Sequence, residues 1–388
     1  MIIGMMLLVS LNITDIVFHQ SYNLDFSDLN LYWEEFRVTL LGYDTGFYYH
    51  NGRQIPGAGW LPAIPIFPWG RILGNVICPG FLPFEVAKWW SFGLLIMLCI
   101  ITGYEGFQRI YHQTEDKTKA VLMVVLVYLM PFYWRDMLIY FNVGGVICFF
   151  LIWMVFLIEN HPYLSAVLLA ISMMKPQNAL PFVIILILEK RWKTLIAAAG
   201  LDVASWISCA VITRVNPINQ VLYTLGRSTE EEPYYFWFGL LDPIRYFGIG
   251  SNYAMLASMV LGVAILLVLY GIIKNTDSVM TNSIAVYAGA AVISTVWMYK
   301  SKSDFVIVVL ASMLAIENYI AAEKTYKNSV KCILILALLN VLFFTEPIRI
   351  LAGYSFTMGM TLDAWSRTLS IILMVISYTR KEIGVRNI

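Results

Sequence analysis

Asp28 is the residue of this chain that is best placed to act as a general base. It follows the apolar run at residues 2–18 and starts a segment whose apolar residues recur at helical spacing, with Glu34 and Glu35 on other faces. If the apolar run spans a membrane, Asp28 lies at the outer interface, where a carboxylate can take the proton of an acceptor hydroxyl. The alternative is a plain helix cap, because Ser27 and Asp28 are both favourable N-cap residues. Spacing alone favours the cap.

Lys175 is the cation in the least favourable surroundings for a charge. It lies at the midpoint of an otherwise apolar run, residues 163–188, and Gln177 and Asn178 follow it. Ionisable residues deep in apolar spans are costly and usually line a path or a binding site. An ammonium group with two neutral amides beside it suits a phosphate group. The alternative is a lysine whose long side chain reaches the membrane surface.

A second polar group, YKSKSD, covers residues 299–304 at the predicted junction of two spans. Lys300 and Lys302 can neutralise a phosphodiester, and Asp304 then starts the next helix as a cap or pairs with one of the lysines. Lysines at the end of a span also reach the interface without any functional role. The pattern gives the two interpretations equal weight.

The composition places these residues in a membrane protein. Of 388 residues, 59% are hydrophobic and only 13% are charged, about half the charged share of a soluble domain, and the mean hydropathy is +0.71. A net charge of +1 argues against a nucleic-acid partner. The five cysteines lack CxxC spacing and the four histidines form no HxxH pattern, so no zinc site is predicted. Asp28, Glu34 and Glu35 leave binding of a divalent metal open without supporting it.

Ten apolar runs are long enough to be membrane spans. We predict an all-α polytopic membrane protein that forms a single transmembrane domain over residues 1–388, without repeats or a separable soluble part. The two long loops between spans, residues 21–84 and 214–252, are where we expect function. The predicted spans are 2–18, 85–106, 119–134, 138–158, 193–213, 253–274, 281–299, 303–322, 330–346 and 364–379.

The apolar run at residues 163–188 is either one kinked span or a hairpin of two half-helices, because Pro176 interrupts it. The number of crossings sets the side on which each later loop lies, and cytoplasmic loops carry an excess of Lys and Arg. A hairpin places ten Lys or Arg of the later short loops in the cytoplasm, whereas the opposing short loops hold Lys300, Lys302 and Arg349. We therefore favour the hairpin, with both termini in the cytoplasm and both long loops outside.

Five segments carry a resemblance to one enzyme family. SDLNLYW at 27–33, GYDTGFYY at 42–49 and WLPAIPIFPW at 60–69 resemble its D-x-x-x-Y, G-x-D-P-Y and Y-P-P motifs. Further on, YFNVGGVICFFLI resembles its G-Q-x-N helix start, and LLAISMMKPQNALPFVIILILEKRWK resembles its K-P-Q hairpin, the most specific match. In these motifs the chain resembles glycosyltransferase family 87, within the GT-C superfamily of polyprenyl-phosphate-sugar-dependent glycosyltransferases. The resemblance covers about the first 200 residues by motif and the remainder by span count.

This resemblance implies a GT-C-like fold and assigns roles to individual residues. Asp28 matches the catalytic base, which reverses the preference for a helix cap, and Tyr32 matches the tyrosine of the same motif. Lys175 matches the lysine that contacts the phosphate or the sugar of the donor, and Gln177 follows it in the K-P-Q segment.

Further substrate contacts are implied in the same way. At the start of a late span, where the family commonly has a histidine, this chain has Lys300, Lys302 and Asp304, which we predict to bind the donor phosphate. Aromatic residues of the first long loop are able to stack on sugar faces. The predicted substrate-binding residues are Tyr32, Tyr48, Tyr49, Trp60 and Asn142, with Tyr43 and Phe47 beside them.

The resemblance implies a glycosyltransferase that moves a sugar, with mannose expected, from a polyprenyl-phosphate carrier to a lipid-linked or other glycan acceptor. Transfer by one displacement inverts the anomeric carbon, and no cofactor is predicted. We expect the protein in the plasma membrane of a prokaryote, surrounded by membrane lipids, with its site facing outside. The competing classes are a secondary transporter with a broken helix at the midplane and a non-catalytic scaffold. The repeated halves that are usual in transporters are absent from the sequence.

Overall fold

The computed structural model describes residues 26–56, 66–128, 137, 141–230, 251–274, 282–295, 297 and 302–313. Within these ranges all regular structure is helical and no strand is present. The predicted spans at 2–18, 330–346 and 364–379 lie outside the described residues. The α-helices are α1 (Ser27–Leu40), α2 (Thr45–His50), α3 (Pro68–Leu73), α4 (Phe84–Thr114), α5 (Lys117–Tyr128), α6 (Val143–Leu157), α7 (Pro162–Ser172), α8 (Pro176–Leu188), α9 (Trp192–Thr213), α10 (Pro217–Glu230), α11 (Ser251–Lys274) and α12 (Asn282–Ser294).

Three stretches of these helices are long and apolar enough to cross a membrane: α4, α9 and residues Leu256–Lys274 of α11. They carry large apolar side chains on their outer surfaces, among them Ile100, Ile196 and Val211, each more than 60% exposed. Apolar surface of this extent is typical of a face that is covered by a partner or by lipid. The prediction of an all-α membrane protein is confirmed over the described residues.

The chain divides into two compact units. The first unit comprises Phe18–Ile100 and Asp136–Tyr234 and contains α1, α2, α3 and α6 to α10. The second unit contains α5, α11 and α12, of which α11 and α12 pack on each other. Gly262 of α11 permits a close approach, since a Cβ there would lie 3.4 Å from Ile293 Cγ2 of α12 and 2.7 Å from the Cβ of Trp297, which follows α12. The single transmembrane domain stays a prediction.

Helix α6 is the core of the first unit. Residues 143–152 are all buried, as expected for a helix that is apolar on every side. Helix α7 packs against it with the chain running the opposite way. The Ser165 hydroxyl donates to the Met154 carbonyl at one end (3.1 Å), and the Ser172 hydroxyl donates to the Ile147 carbonyl at the other (3.5 Å).

Helices α7 and α8 form a hairpin whose two ends lie side by side. The Thr194 hydroxyl, just after the hairpin, donates to the carbonyl of Pro162 at its start over 3.2 Å. Arg191 pairs with Glu159 across the same two ends, with NH1 2.9 Å from Oε2. A single kinked span would separate these ends by roughly 30 Å, the thickness of a bilayer core. Lys175 therefore lies at the tip of a hairpin.

Helix α3 holds that tip in place. The Trp69 indole donates to the Met173 carbonyl over 2.9 Å, and the Ser205 hydroxyl of α9 donates to the Trp69 carbonyl over 2.5 Å. Gly70 allows the backbones to approach, because a Cβ at this position would lie 2.9 Å from the Cα of Met174. The position of Lys175 thus depends on a contact between the first long loop and the hairpin.

Candidate active site

Three polar side chains from three helices of the first unit form a continuous chain of hydrogen bonds. The Asn142 amide donates from Nδ2 to Asp28 Oδ2 over 2.8 Å, and the Lys175 ammonium donates to Asn142 Oδ1 over 2.8 Å. Asp28 and Asn142 are half-buried and Lys175 is 7% exposed. We call these three residues the Asp–Asn–Lys bridge.

Each member of the bridge lies at the start of a helix. Asn142 caps α6, because its Oδ1 accepts the Gly144 N–H over 2.8 Å. Lys175 directly precedes α8, whose first residue is a proline. Asp28 lies in the first turn of α1, where Phe26 occupies the cap position and no side chain caps the helix. The interpretation of Asp28 as a plain N-cap is therefore wrong, since its carboxylate accepts from Asn142 instead.

The ring of Tyr32 packs against Lys175, the cationic member of the bridge. Its ring centroid is 5.9 Å from Lys175 Nζ, within the range of a cation–π contact. It follows Asp28 by four residues on α1, so both project from one face of the helix. Only 4% of Tyr32 is exposed. Tyr32 therefore packs against the lysine from within the unit.

A second charged group lies further along the same face of α1 and is fully buried. Arg71 donates from NH1 to Asp44 Oδ2 over 2.7 Å, and its Nε lies 3.1 Å from Glu35 Oε1. The Thr45 hydroxyl donates to Glu35 Oε1, and Arg71 NH2 donates to the Thr224 hydroxyl over 3.3 Å. None of these five residues is more than 2% exposed. We call Glu35, Asp44 and Arg71 the sealed cluster.

The sealed cluster keeps its charges through mutual attraction. Burial lowers the pKa of Arg71, but the carboxylates of Glu35 and Asp44 outweigh burial, and the net pKa lies above its ordinary value. The guanidinium is therefore charged at every physiological pH. Because the cluster is shielded from water, it is suited to holding elements together and not to exchanging protons with a substrate.

The two long loops of the sequence meet around this cluster. Thr224 belongs to α10 of the second loop, and its neighbour Tyr223 stacks on His50 with ring centroids 4.9 Å apart. Phe47 meets the same tyrosine edge-on at 6.0 Å. Asp44 joins the two contacts, because its Oδ1 accepts the Phe47 N–H over 2.8 Å while its Oδ2 faces the guanidinium. The described helices of the two loops, α2, α3 and α10, thus pack into one layer, and α1, which carries Asp28, packs against α2 and α3.

Comparison with known protein families identifies the family of this chain. The sequence model of glycosyltransferase family 87 matches residues 75–316, well over half of the chain. The chain belongs to glycosyltransferase family 87. Comparisons with curated proteins and with solved structures find no match. The resemblance predicted from the motifs is thereby confirmed, and the chain is a membrane glycosyltransferase whose substrates are a sugar donor and an acceptor.

This family 87 member brings four of its predicted site residues together. Asp28, Tyr32, Asn142 and Lys175 come from segments up to 147 positions apart and lie within one set of contacts. The family match covers Asn142 and Lys175 but begins at residue 75, after Asp28. Gln177 lies half-buried in the first turn of α8, close to the tip.

The other predicted residues lie elsewhere or outside the described residues. On α2, Tyr48 is half-buried and Tyr49 is 45% exposed. Asp304 is buried in a 3-10 turn, Lys302–Ile307, of the second unit. Trp60, Lys300 and the side chain of Lys302 lie outside the described residues. In the part of the chain that the structure describes, no group of three or more His, Cys, Asp or Glu is placed to hold a metal ion.

The sealed cluster is the part of this layer that sequence reasoning missed. Glu35 was expected on a face away from the apolar residues of α1, and it is 2% exposed instead. Two signals point to it. Asp28, Tyr32 and Glu35 are spaced by four and three residues, which is one helix face, and Arg71 is the only Lys or Arg between Arg53 and Lys88.

Proposed function

We propose that this glycosyltransferase moves a sugar, with mannose favoured, from a polyprenyl monophosphate to a lipid-linked or glycan acceptor. The observation that carries the proposal is the Asp–Asn–Lys bridge, which places a carboxylate and an ammonium on opposite sides of one amide. Glycosyl transfer from a phosphate carrier needs both groups. A base must take the acceptor proton, and a cation must offset the charge of the leaving phosphate.

In the proposed reaction, Asp28 takes the proton of an acceptor hydroxyl while that oxygen bonds to the anomeric carbon. The bond from this carbon to the phosphate oxygen breaks, and its electron pair leaves with the polyprenyl phosphate. Lys175 offsets the added negative charge, with Lys300, Lys302 and Asp304 as further donor contacts. A single displacement inverts the anomeric configuration. Asp28 then returns its proton to water.

Binding of the sugars is proposed for the residues that border the bridge. Gln177, two residues after Lys175 at the hairpin tip, supplies an amide for sugar hydroxyls. Aromatic rings offer flat apolar faces to the sugar ring. The proposed substrate contacts are Tyr32, Tyr48, Tyr49, Trp60 and Asn142.

The outward exposure of apolar residues on α10 supports a location of this layer on the membrane. Ile218, Leu222 and Leu225 form an exposed apolar stripe, whereas Gln220 and Thr224 are buried on the opposite face. A helix with its polar face inward and its apolar face outward is suited to lie on a lipid surface. We propose that the loops at 21–84 and 214–252 roof the site in this way.

The proposal for the whole chain extends these observations. It is a single GT-C-like transmembrane domain of about ten full spans plus the α7–α8 hairpin, in the plasma membrane of a prokaryote. Both termini face the cytoplasm, because that orientation places the excess of Lys and Arg inside. The site then faces outward. Substrates carried on prenyl chains reach it within the membrane.

Transfer measured with the Asp28→Asn variant tests this function. The purified protein is incubated with radiolabelled polyprenyl-phosphate mannose and extracted membrane lipids, and labelled product is counted. We expect kcat/KM to fall by about 10²–10⁴-fold, the contribution of a general base. Glu34→Gln is the matched control, because Glu34 lies on the same helix and pairs only locally with Arg37 at 2.9 Å in the contacts described.

The alternatives give different results in the same assay. Retained turnover in Asp28→Asn would exclude this residue as the base. No turnover of the unmodified protein with any polyprenyl-phosphate sugar would instead favour a transporter or a scaffold. A product that retains the anomeric configuration of the donor would contradict the single displacement.

A further inference from the structure

The Asn142 amide makes more hydrogen bonds within the protein than a residue that only contacts a sugar would need. Its Oδ1 accepts both the Gly144 N–H and the Lys175 ammonium, each over 2.8 Å. Its Nδ2 donates to Asp28 Oδ2 over 2.8 Å. An amide oxygen has two acceptor sites, so both are occupied within the protein. Of the hydrogen-bonding positions of this amide, these contacts leave one N–H of Nδ2 for a substrate.

The orientation of this amide is determined by the fold. Nitrogen and oxygen of an asparagine are assigned from their partners, and here a backbone N–H and an ammonium both require oxygen on one side. The nitrogen must therefore face Asp28. Because Asn142 caps α6, whose residues 143–152 are all buried, the amide is anchored to the core of the first unit.

We infer that Asn142 is a positioning residue that keeps Lys175 and Asp28 apart while coupling them electrostatically. This inference rests on the proposed function. Without the amide that bridges them, we expect the ammonium and the carboxylate to pair directly, because a direct charged hydrogen bond is stronger than one to a neutral group. Direct pairing would block the base and withdraw the cation from the donor phosphate. Asn142 allows each group to act on its own substrate.

The Asn142→Asp variant isolates this role from helix capping. Aspartate caps a helix as well as asparagine does and still accepts from Lys175, but it no longer donates to Asp28. Two carboxylates then face each other, and one of them holds a proton at neutral pH. We expect kcat/KM at pH 7 to fall roughly tenfold or more. The acid limb of the pH–rate profile should therefore shift to higher pH, and activity should recover above that pH.

The Asn142→Ser variant should move the profile the opposite way. Serine also caps helices, but it is too short to reach either Asp28 or Lys175. The two then pair directly, which favours the charged carboxylate and moves the acid limb to lower pH, with reduced kcat. Other charges near the start of α1 are unchanged in both variants. Lys88 lies 5.3 Å from the ring of Phe26 and pairs with Glu85.

The control is Asn216→Asp. Asn216 caps α10 by accepting the Ile218 N–H over 2.9 Å and is exposed, so its replacement should leave rate and profile unchanged. Opposite shifts in the two Asn142 variants, with thermal unfolding close to that of the unmodified protein, support the inference. An unchanged profile in both, with Asp28→Asn inactive, would overturn the positioning role and leave the proposed function intact. An active Asp28→Asn would overturn the function itself.

Discussion

One face of helix α1 carries two of its three carboxylates, Asp28 and Glu35, seven residues apart, and the structure places these two in opposite environments. Asp28 is half-buried and meets its cation through a neutral amide. Glu35 is 2% exposed and lies 3.1 Å from Arg71 directly. The same functional group thus occupies two different environments, two turns of helix apart.

The difference lies in how the positive charge is held. Lysine is a flexible point charge that can approach a ligand, whereas the planar guanidinium of arginine holds several oxygens in a fixed arrangement. Lys175 lies at a hairpin tip, and Arg71 lies between two loops with Asp44, Glu35 and Thr224 around it. In the proposed function, the bridge therefore carries the chemistry and the sealed cluster holds the loops together.

The strongest test of this comparison is Arg71→Met. Removal of the guanidinium leaves the carboxylates of Glu35 and Asp44 buried without their cation. Breaking a buried ion pair in this way lowers the free energy of unfolding by about 3–5 kcal/mol. We expect a large loss of thermal stability in detergent, measured by the unfolding of the purified protein. Activity should fall only in proportion to the folded fraction.

Arg37→Met is the matched control on α1. Arg37 pairs with Glu34 at 2.9 Å and is partly exposed, and exposed pairs contribute about 0–1 kcal/mol. A similar loss of stability in both variants would show that burial does not distinguish the two pairs. Normal stability of Arg71→Met would remove the sealed cluster from its structural role.

Lys175→Met should give the reverse result. Methionine replaces the stem of the lysine, and the described acceptor Asn142 Oδ1 keeps the Gly144 N–H, so stability should change less than in Arg71→Met. If Lys175 offsets the charge of the leaving phosphate, kcat should fall by about 10²–10³-fold, the effect of removing one such group. Single-turnover transfer with a saturating donor measures it. Unimpaired turnover would assign Lys175 to structure.

Two members of the bridge stand out in the sequence, whereas Asn142 was assigned from the resemblance to the family motifs. Lys175 interrupts an apolar run, and Asp28 starts an amphipathic helix. Their joint contact with Asn142 was not predictable, because it depends on how α1, α6 and the hairpin pack. The hairpin itself was favoured by the distribution of basic residues, and its adjoining ends agree with that preference.

The sealed cluster was not predicted for a physical reason. A charged residue on an amphipathic helix is usually solvated, so Glu35 was assigned to an outer face. Its burial depends on Arg71, 36 positions away, and on Thr224 of the second long loop. A pairing between residues so far apart in the sequence is not visible in the pattern of α1. The spacing of Asp28, Tyr32 and Glu35 shows only that these three residues share one face.

The smallest effect is expected where α3 meets the hairpin tip, the contact that connects the two regions. Arg71 and Gly70 are neighbours on α3, and a Cβ on Gly70 would lie 2.6 Å from Met174 Cγ and 2.9 Å from its Cα. Gly70→Ala must therefore move backbone next to Lys175. Overpacking of this kind costs about 1–3 kcal/mol.

Gly93→Ala is the matched control, since nothing lies within 4 Å of its Cβ position on α4, and alanine should stabilise that helix by about 0.5–1 kcal/mol. We expect Gly70→Ala, but not Gly93→Ala, to raise the KM for the donor. The value of kcat/KM should fall about tenfold, because displacement of a catalytic group slows transfer. Titration of the donor in the transfer assay measures this. If Gly70→Ala lowered stability but left the donor KM unchanged, the sealed cluster and the bridge would be independent, and the tip would be positioned by α6 and α7 alone.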